Sequence, residues 1–372
     1  MIERAEAISP ANVGLTIAEG KALLASLQEQ MVTAQVQQHV ANIKSCPRYG
    51  KAFRTKGYYD STLRSVYGIV DMRIRRLCAF PCSGSFAQSF STLFTNKSPI
   101  TPELRYLTAK MAALLPFRKA ADFLGELLPL SAQATASTVR NRTMRVGRRL
   151  QKSALALATA ASSEPCKEVI VGFDGGSVRN RHQRPERNFE VIAGKALDSD
   201  GHATRFAFVC NGGSDAVSPI GLALQHRGAN ETTSVTVLTD GDAGLRAIAG
   251  LVDLGQWAPS PCFDHIPSLK KLASMLLDTI RYLELNADSM PDYGKRYRAG
   301  QRISTGFVES AVNEIIAKRM VKKQQMRWNR YTVESFLDVR IHVLNGMLEG
   351  AFRHWHKGFR PVADQAQMAL SA

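Results

Sequence analysis

The sequence predicts an α/β domain behind a mainly helical N-terminal region that contains a small β-hairpin. Short strand-like runs recur at 168–173, 189–194, 204–210 and 234–239, with helical patterns at about 217–226, 243–253 and 304–320. Strands in succession, then strands alternating with helices, indicate an α/β sheet. Before residue 166 the apolar spacing is helical, except that "TLRSVYG" and "IVDMRIRR" alternate with period two around Gly68, as a hairpin does. At 372 residues the chain is long enough for more than one domain with a full core.

Taken in order, residues 16–44 carry apolar positions at helical spacing among Gln, Glu and Lys, a helix expected to pack against its own chain. Cys46 precedes the hairpin, and Cys78 and Cys82 follow it. Residues 84–100 are Ser-rich and Pro-marked, as a linker is. From Thr101 the chain reads helix, turn, helix, with Thr101 as cap and Pro102 in the first turn. The next helix bears Arg140, Arg142, Arg145, Arg148 and Arg149, and suits a DNA groove or a solvated connector equally. A further amphipathic helix spans 331–349. The expected division is an N-terminal helix (1–45), the hairpin (46–83), a helical region that could form a helix-turn-helix (84–165), a catalytic domain (166–330), and a C-terminal helix and tail (331–372).

The charge balance narrows the partners. With 48 Lys+Arg against 32 Asp+Glu, the chain carries +16 and a pI near 9.8, which points to a polyanion: nucleic acid or an anionic membrane surface. A merely basic soluble enzyme is the plainer alternative. No apolar run approaches the ~18 residues of a membrane span. The opening "MIERAEAISPANVG" lacks an apolar leader core, so secretion is not expected. Six cysteines in a chain of this length suggest reduced thiols in a cytoplasm.

Three carboxylates stand out. Asp174 follows the apolar run "VIVGF" and precedes Gly175 and Gly176; Asp240 closes "SVTVLTD" and precedes Gly241. Both are expected at strand ends, beyond which open α/β sheets bind ligands. Glu309 lies on a helix whose Ile315 and Ile316 face inward. Carboxylates brought together repel one another unless a divalent cation neutralises them, and oxygen-only ligands suit Mg²⁺ or Mn²⁺. Two such ions clamp the attacking and leaving oxygens of a phosphodiester displacement. The adjacent glycines would let a phosphate chain approach the backbone. Taken singly, each residue has a plainer reading: Asp240 or Asp242 can cap the helix starting near 243, and a helical Glu is usually solvated.

The blocks "GFDGGSVRNRHQRPERNFEVIAGKA", "VTVLTDGDAGLR", "CFDHI" and "YGKRYRAGQRISTGFVESAVNEIIAKRMVKKQQMRW" resemble bacterial insertion-sequence transposases of the ISKra type, DDE enzymes related to the Mutator-like group. The resemblance spans about 46–360. It implies an RNase-H-like catalytic domain in which Asp174, Asp240 and Glu309 bind two Mg²⁺ or Mn²⁺ ions. It also implies that Cys262 and His265 form the C-x-x-H element of this group. The implied activity is cleavage at transposon ends followed by strand transfer into target DNA. Implied partners are double-stranded DNA and, once assembled on it, further copies of the chain, in a bacterial cytoplasm at the nucleoid.

The span 295–330 holds Lys295, Arg296, Arg298, Arg302, Lys318, Arg319, Lys322, Lys323, Arg327 and Arg330 against only Glu309 and Glu314. Such residues supply phosphate contacts, and Trp328 could stack on a base or wedge a duplex end; the alternative is a solvated charged face with Trp328 in the core. Arg179 and Arg302 are phosphate-clamp candidates near the triad in sequence, Arg187 a weaker one, and His265 could orient a phosphate or pack beneath the site. The hairpin resembles the family's zinc ribbon. However, Tyr49 stands where the family places a cysteine, and "CAFPC" has three residues between its cysteines rather than two. Cys46, Cys78 and Cys82 therefore either hold Zn²⁺ or mark a relic fold held by hydrophobic packing. The segment 266–300 is a shortened form of the family's helical insertion. A nuclease without strand transfer, or a transposon-derived DNA-binding protein that no longer turns over, are the alternative functions.

Overall fold

A computed structural model describes residues 13–42, 54–78, 100–130, 134–160, 165–181, 187–209, 217–230, 232–239, 293–300, 306–320 and 327–360. The chain divides into two compact units, one of Met1–Thr143 with Trp355–Ala372, the other of Met144–His354. No helix among the described residues is long and apolar enough to cross a membrane.

The first unit is built on helix α1 (Ile17–Asn42) and the antiparallel hairpin β1 (Arg54–Ser65) and β2 (Gly68–Cys78). A reciprocal cap starts α1: the Glu19 amide donates to the Thr16 hydroxyl at 3.2 Å, and the Thr16 amide donates to the Glu19 carboxylate at 2.8 Å. The hairpin turns through Val66 and Tyr67, and Gly68 takes the positive φ of 116° that the turn requires. Leu63, Val70, Met72 and Ile74 of the hairpin close over Val32 and Val36 of α1. The rest of α1 departs from the sequence expectation: Leu23, Leu24, Leu27 and Met31 are 54, 41, 50 and 50% exposed.

Helices α2 (Pro102–Leu114) and α3 (Phe117–Leu127) follow the expected helix-turn-helix spacing, and the Thr101 side chain accepts from the Leu104 amide ahead of Pro102. Arg360 closes this unit by gripping Glu103 with two N–H groups at 2.9 Å while lying 4.4 Å over the Tyr106 ring. Helix α4 (Ala136–Ala160) runs from the first unit into the second. Of its arginines, Arg142 is buried, Arg140 and Arg149 are half-buried, and Arg145 and Arg148 are exposed.

The second unit holds a four-stranded mixed sheet of β3 (Glu168–Arg179), β4 (Asn188–Asp198), β5 (Ala203–Val209) and β6 (Ser234–Leu238), in the order β5-β4-β3-β6. The first three strands are antiparallel neighbours, and β6 lies parallel to β3. All four coincide with the strand-like runs of the sequence, but β3 continues six residues past Phe173, through both glycines. One face of the sheet packs Val169, Val171 and Phe173 with Ile192, Phe206, Phe208, Val235 and Val237 under helix α5 (Val217–His226), which contributes Ile220, Ala223 and Leu224. Each of the Val, Ile, Leu and Phe side chains contributes about 1.5–3 kcal/mol on leaving water. Gly228, at φ +76°, ends α5.

The opposite face takes α7 (Gly306–Val312), which follows α6 (Tyr293–Arg298) and continues as a π turn, Asn313–Ala317, into α8 (Lys318–Met320). Val308, Ala311, Ile315, Ile316 and Met320 are all buried. The expected amphipathic tail is two helices, α9 (Val333–Leu344) and α10 (Leu348–Trp355), separated at Gly346 with φ +71°. Asn345 caps the open edge of β5, accepting from the Arg205 amide and donating to the Arg205 carbonyl, both at 2.9 Å. Where α4 meets α9, a Cβ on Gly147 would lie 1.6 Å from the Ser335 carbonyl oxygen. Gly147→Ala is therefore expected to force the two backbones apart and cost about 3 kcal/mol or more, read as a lowered urea midpoint of the full chain.

Candidate functional site

Asp174 lies inside β3, opposite Ala193 of β4, and not at the end of the strand as its sequence neighbours suggested. Its half-buried carboxylate accepts the Gly175 amide at 2.6 Å through Oδ1. Alternation along the strand puts Gly172, Asp174 and Gly176 on one face, the face under α7. A Cβ on Gly172 would sit 2.4 Å from Val308, and one on Gly176 would sit 2.5 Å from Ile316. These glycines let the Glu309 helix settle onto the Asp174 strand. For Gly176 this replaces the expected role of admitting a phosphate chain. A Cβ on Gly175 would instead meet the Glu190 carboxylate at 2.2 Å.

Glu309 follows the buried Val308 on α7 and is exposed. Strand β6 ends with Leu238 opposite Gly172, two residues before Asp174, and Asp240 is two residues beyond Leu238 in sequence. Asp240 itself lies outside the described residues, as do His265, Cys262, Arg302, Lys322 and Lys323. So do Cys46 and Cys82, while Cys78 is the last residue of β2, opposite Arg54.

The basic residues separate into two kinds. Lys318 and Arg327 are exposed, Arg179 is half-buried and Arg187 is exposed. Backbone pairing gathers several of them: the Trp328 amide donates to the Arg179 carbonyl at 2.9 Å, and the Arg181 amide donates to the Trp328 carbonyl at 2.7 Å. Arg179, Arg181 and Arg327 thus meet at the end of β3, about 16 Å along the strand from Asp174. Lys295, Tyr297 and Arg298 of α6 are also exposed, Tyr297 by 77%.

Arg319 is of the other kind: it lies in the core with Trp328, so neither faces DNA as was expected of it. Arg319 has no exposed surface and Trp328 has 4%. The Arg319 guanidinium lies 5.4 Å over Trp328 and 4.8 Å over Phe336. Burial, with the nearby Arg340 charge, pushes its pKa down to about 9. Charge in the sequence marked Arg319 as surface, but two aromatic faces hold the cation inside; Trp328 takes the core position that was its alternative reading.

Residues the sequence reading passed over hold the Glu309 helix in place. Glu314, in the π turn, accepts from Arg205 of β5 at 2.8 Å and pairs with Lys195 of β4 at 3.3 Å. Lys195 also donates to the Ser310 hydroxyl at 3.3 Å. Arg340 of α9 donates to the Ile315 carbonyl at 2.6 Å and to the Glu314 carbonyl, both in the π turn. The one signal in sequence was a lysine amid the apolar run "VIAGKAL" of a strand buried on both faces. Burial alone would raise the Glu314 carboxyl, but Arg205 and Lys195 outweigh it and hold the pKa below its usual value.

Two further clusters lie elsewhere. Asp198, Asp200 and His202 gather at the β4–β5 turn, where Asp198 accepts the Asp200 and His202 amides and pairs with Arg227 at 3.2 Å. Those bonds build the turn. On the α5 side of the sheet a cavity of about 320 Å³ is lined by Phe206, Phe208, Leu222 and Ile341, with His226, Asp338 and His342 as polar members. Burial, and secondarily the Glu334 charge against an opposing bond from Gln151, raises the Asp338 pKa to about 7.

No family model and no curated protein matches the chain. Among solved structures the chain is similar to one described as "Crystal structure of NurA", with 11% identity over 58% of this chain and 62% of that one, at a TM-score of 0.12. The chain thus spans less than two thirds of that structure's length, and so low a TM-score carries nothing further.

Because the Glu314 pKa is depressed in the fold, its stabilisation is present above its ordinary value of 4.5 and disappears as pH falls through the folded value. Glu314→Gln is expected to lower unfolding free energy by about 2 kcal/mol at neutral pH, between the exposed and fully buried cases. Denaturant titrations of the two proteins should converge in acid, once the pH has fallen below the lowered Glu314 value.

Proposed function

We propose that this chain is a DDE-type DNA transposase with an RNase-H-like catalytic domain, cutting transposon ends and joining them to target DNA. The observation that carries the reading is the placement of Asp174 in the central strand, under the helix that bears Glu309. Three antiparallel strands followed by a parallel fourth at β3 are the sheet expected of such a domain. The parallel pair β3 and β6 points its carboxyl ends the same way, the side on which open sheets place ligands. Asp240, just past β6 in sequence, is the natural third member.

The donor set fits hard divalent cations: three carboxylates and no sulfur or imidazole. Asp174, Asp240 and Glu309 would hold two Mg²⁺ or Mn²⁺ ions, which when bound supply charge stabilisation to the attacking and leaving oxygens of phosphodiester displacement. The chain's own part is positioning. The Gly175 amide fixes one oxygen of Asp174, and the Glu314 pairs with Lys195 and Arg205 keep the Glu309 helix seated. Arg179, Arg181 and Arg327 at the end of β3, with Lys318 and the exposed cations of α6, supply phosphate contacts along a DNA strand.

The decisive assay incubates the full chain with labelled end DNA and Mn²⁺. Joined products are expected, and Glu309→Gln should reduce them by on the order of 100-fold or more. Nicks without joining would make the chain a nuclease; binding alone would make it a DNA-binding protein; unchanged cleavage by the variant would remove Glu309 from the site. Affinity for the same DNA should fall by on the order of 10³-fold between about 50 and 200 mM salt, as release of counterions from several phosphates requires. A flat response in a filter-binding titration would contradict the role given to these cations.

A further inference from the structure

We propose that α1 is a self-association seam, pairing with α1 of a second copy of this chain. Ile17, Leu24 and Met31 are seven residues apart, and Gly20, Leu27 and Ala34 follow each by three, the apolar pattern of a two-helix seam. The seam does not coincide with the side of α1 that the hairpin covers. Val32 and Val36 are 5 and 7% exposed, whereas Ile17, Leu24, Leu27 and Met31 are 62, 41, 50 and 50% exposed. Leu23, 54% exposed, widens the same stripe. So many large apolar side chains in one register on a monomer's surface mark a docking face.

Charge selects the occupant. The chain carries +16, so two copies repel over most of their surface, yet α1 has one lysine (Lys21) against two glutamates (Glu19 and Glu29). Lys21 is tied to the Gly125 carbonyl at 3.0 Å, and the other positions flanking the seam are Leu23 and the glutamines 28, 30, 35 and 37. A second α1 therefore meets no like charge, and its own apolar stripe is complementary by identity. The helix is already anchored through Val32 and Val36, so pairing does not have to order it. This inference is independent of the catalytic reading.

Sedimentation velocity of the full chain without DNA, across low to high micromolar concentrations, should show a concentration-dependent species of twice the monomer mass. The double variant Leu24→Glu/Leu27→Glu should lose that species while keeping the thermal midpoint that the wild type shows when diluted to monomer, because both positions are exposed in the monomer. A mixture of Leu24→Glu and Leu24→Lys proteins should associate although neither does alone. A wild-type chain that stays monomeric, a double variant that still dimerises, or one whose thermal midpoint collapses (a face covered by its own chain) would each overturn the proposal.

Discussion

The second unit depends on how closely a helix can lie against a strand. Gly172 and Gly176 remove two side chains from the β3 face, and Val308 and Ile316 occupy the space. With any larger residue the helix would ride higher, and Glu309 would move away from the Asp174 strand by the width of a methyl group or more. Close packing makes such a displacement expensive to absorb, because interiors have few voids into which neighbours can shift. The carboxylate between the two glycines is thus framed by apolar contacts.

A second set of interactions resists sliding. Apolar contact fixes the distance between helix and sheet but not the helix's position along its axis. The Glu314 carboxylate does that, bridging cations from two adjacent strands, while Arg340 takes two carbonyls from the other side. Lys195 is only 8% exposed and Arg319 is fully buried, so each needs its partner in place: a carboxylate for one, aromatic rings for the other. Buried charge in this unit works as a set of locating pins.

How much of this was legible in the sequence follows from which forces are local. β3 to β6, α5 and the hairpin arise from period-two or helical apolar patterns, and they appear where those patterns lie. The length of β3 was not legible, because Gly175 and Gly176 have low strand propensity and look like a turn; cross-strand bonding to Val191 and Ile192 overrides that preference. Asp174 was visible as a residue but misplaced as a strand end for the same reason. The burial of Trp328 was one of two readings the sequence left open, but that of Arg319 was invisible, since its neighbours Phe336 and Arg340 come from the next helix and nothing local marks the contact. Residues 304–320 read as one continuous helix, and nothing in a 3.6-residue periodicity discloses a π turn at its centre.

That turn has a consequence for how the segment can change. A π turn winds in one more residue than an α turn closing the same length of axis, so everything after it is rotated by about 100° relative to everything before. The rotation lets one short segment present Val308 and Ala311 to the sheet and then deliver Arg319 inward beyond the turn. The carboxylate upstream and the guanidinium downstream are thereby phase-locked. Point changes at exposed Asn313 leave the phase intact, and dropping one residue would wind the turn back to α with Arg319 still facing inward; were the full-length segment wound as α throughout, Arg319 would swing toward water and Lys318 would take its place in the core.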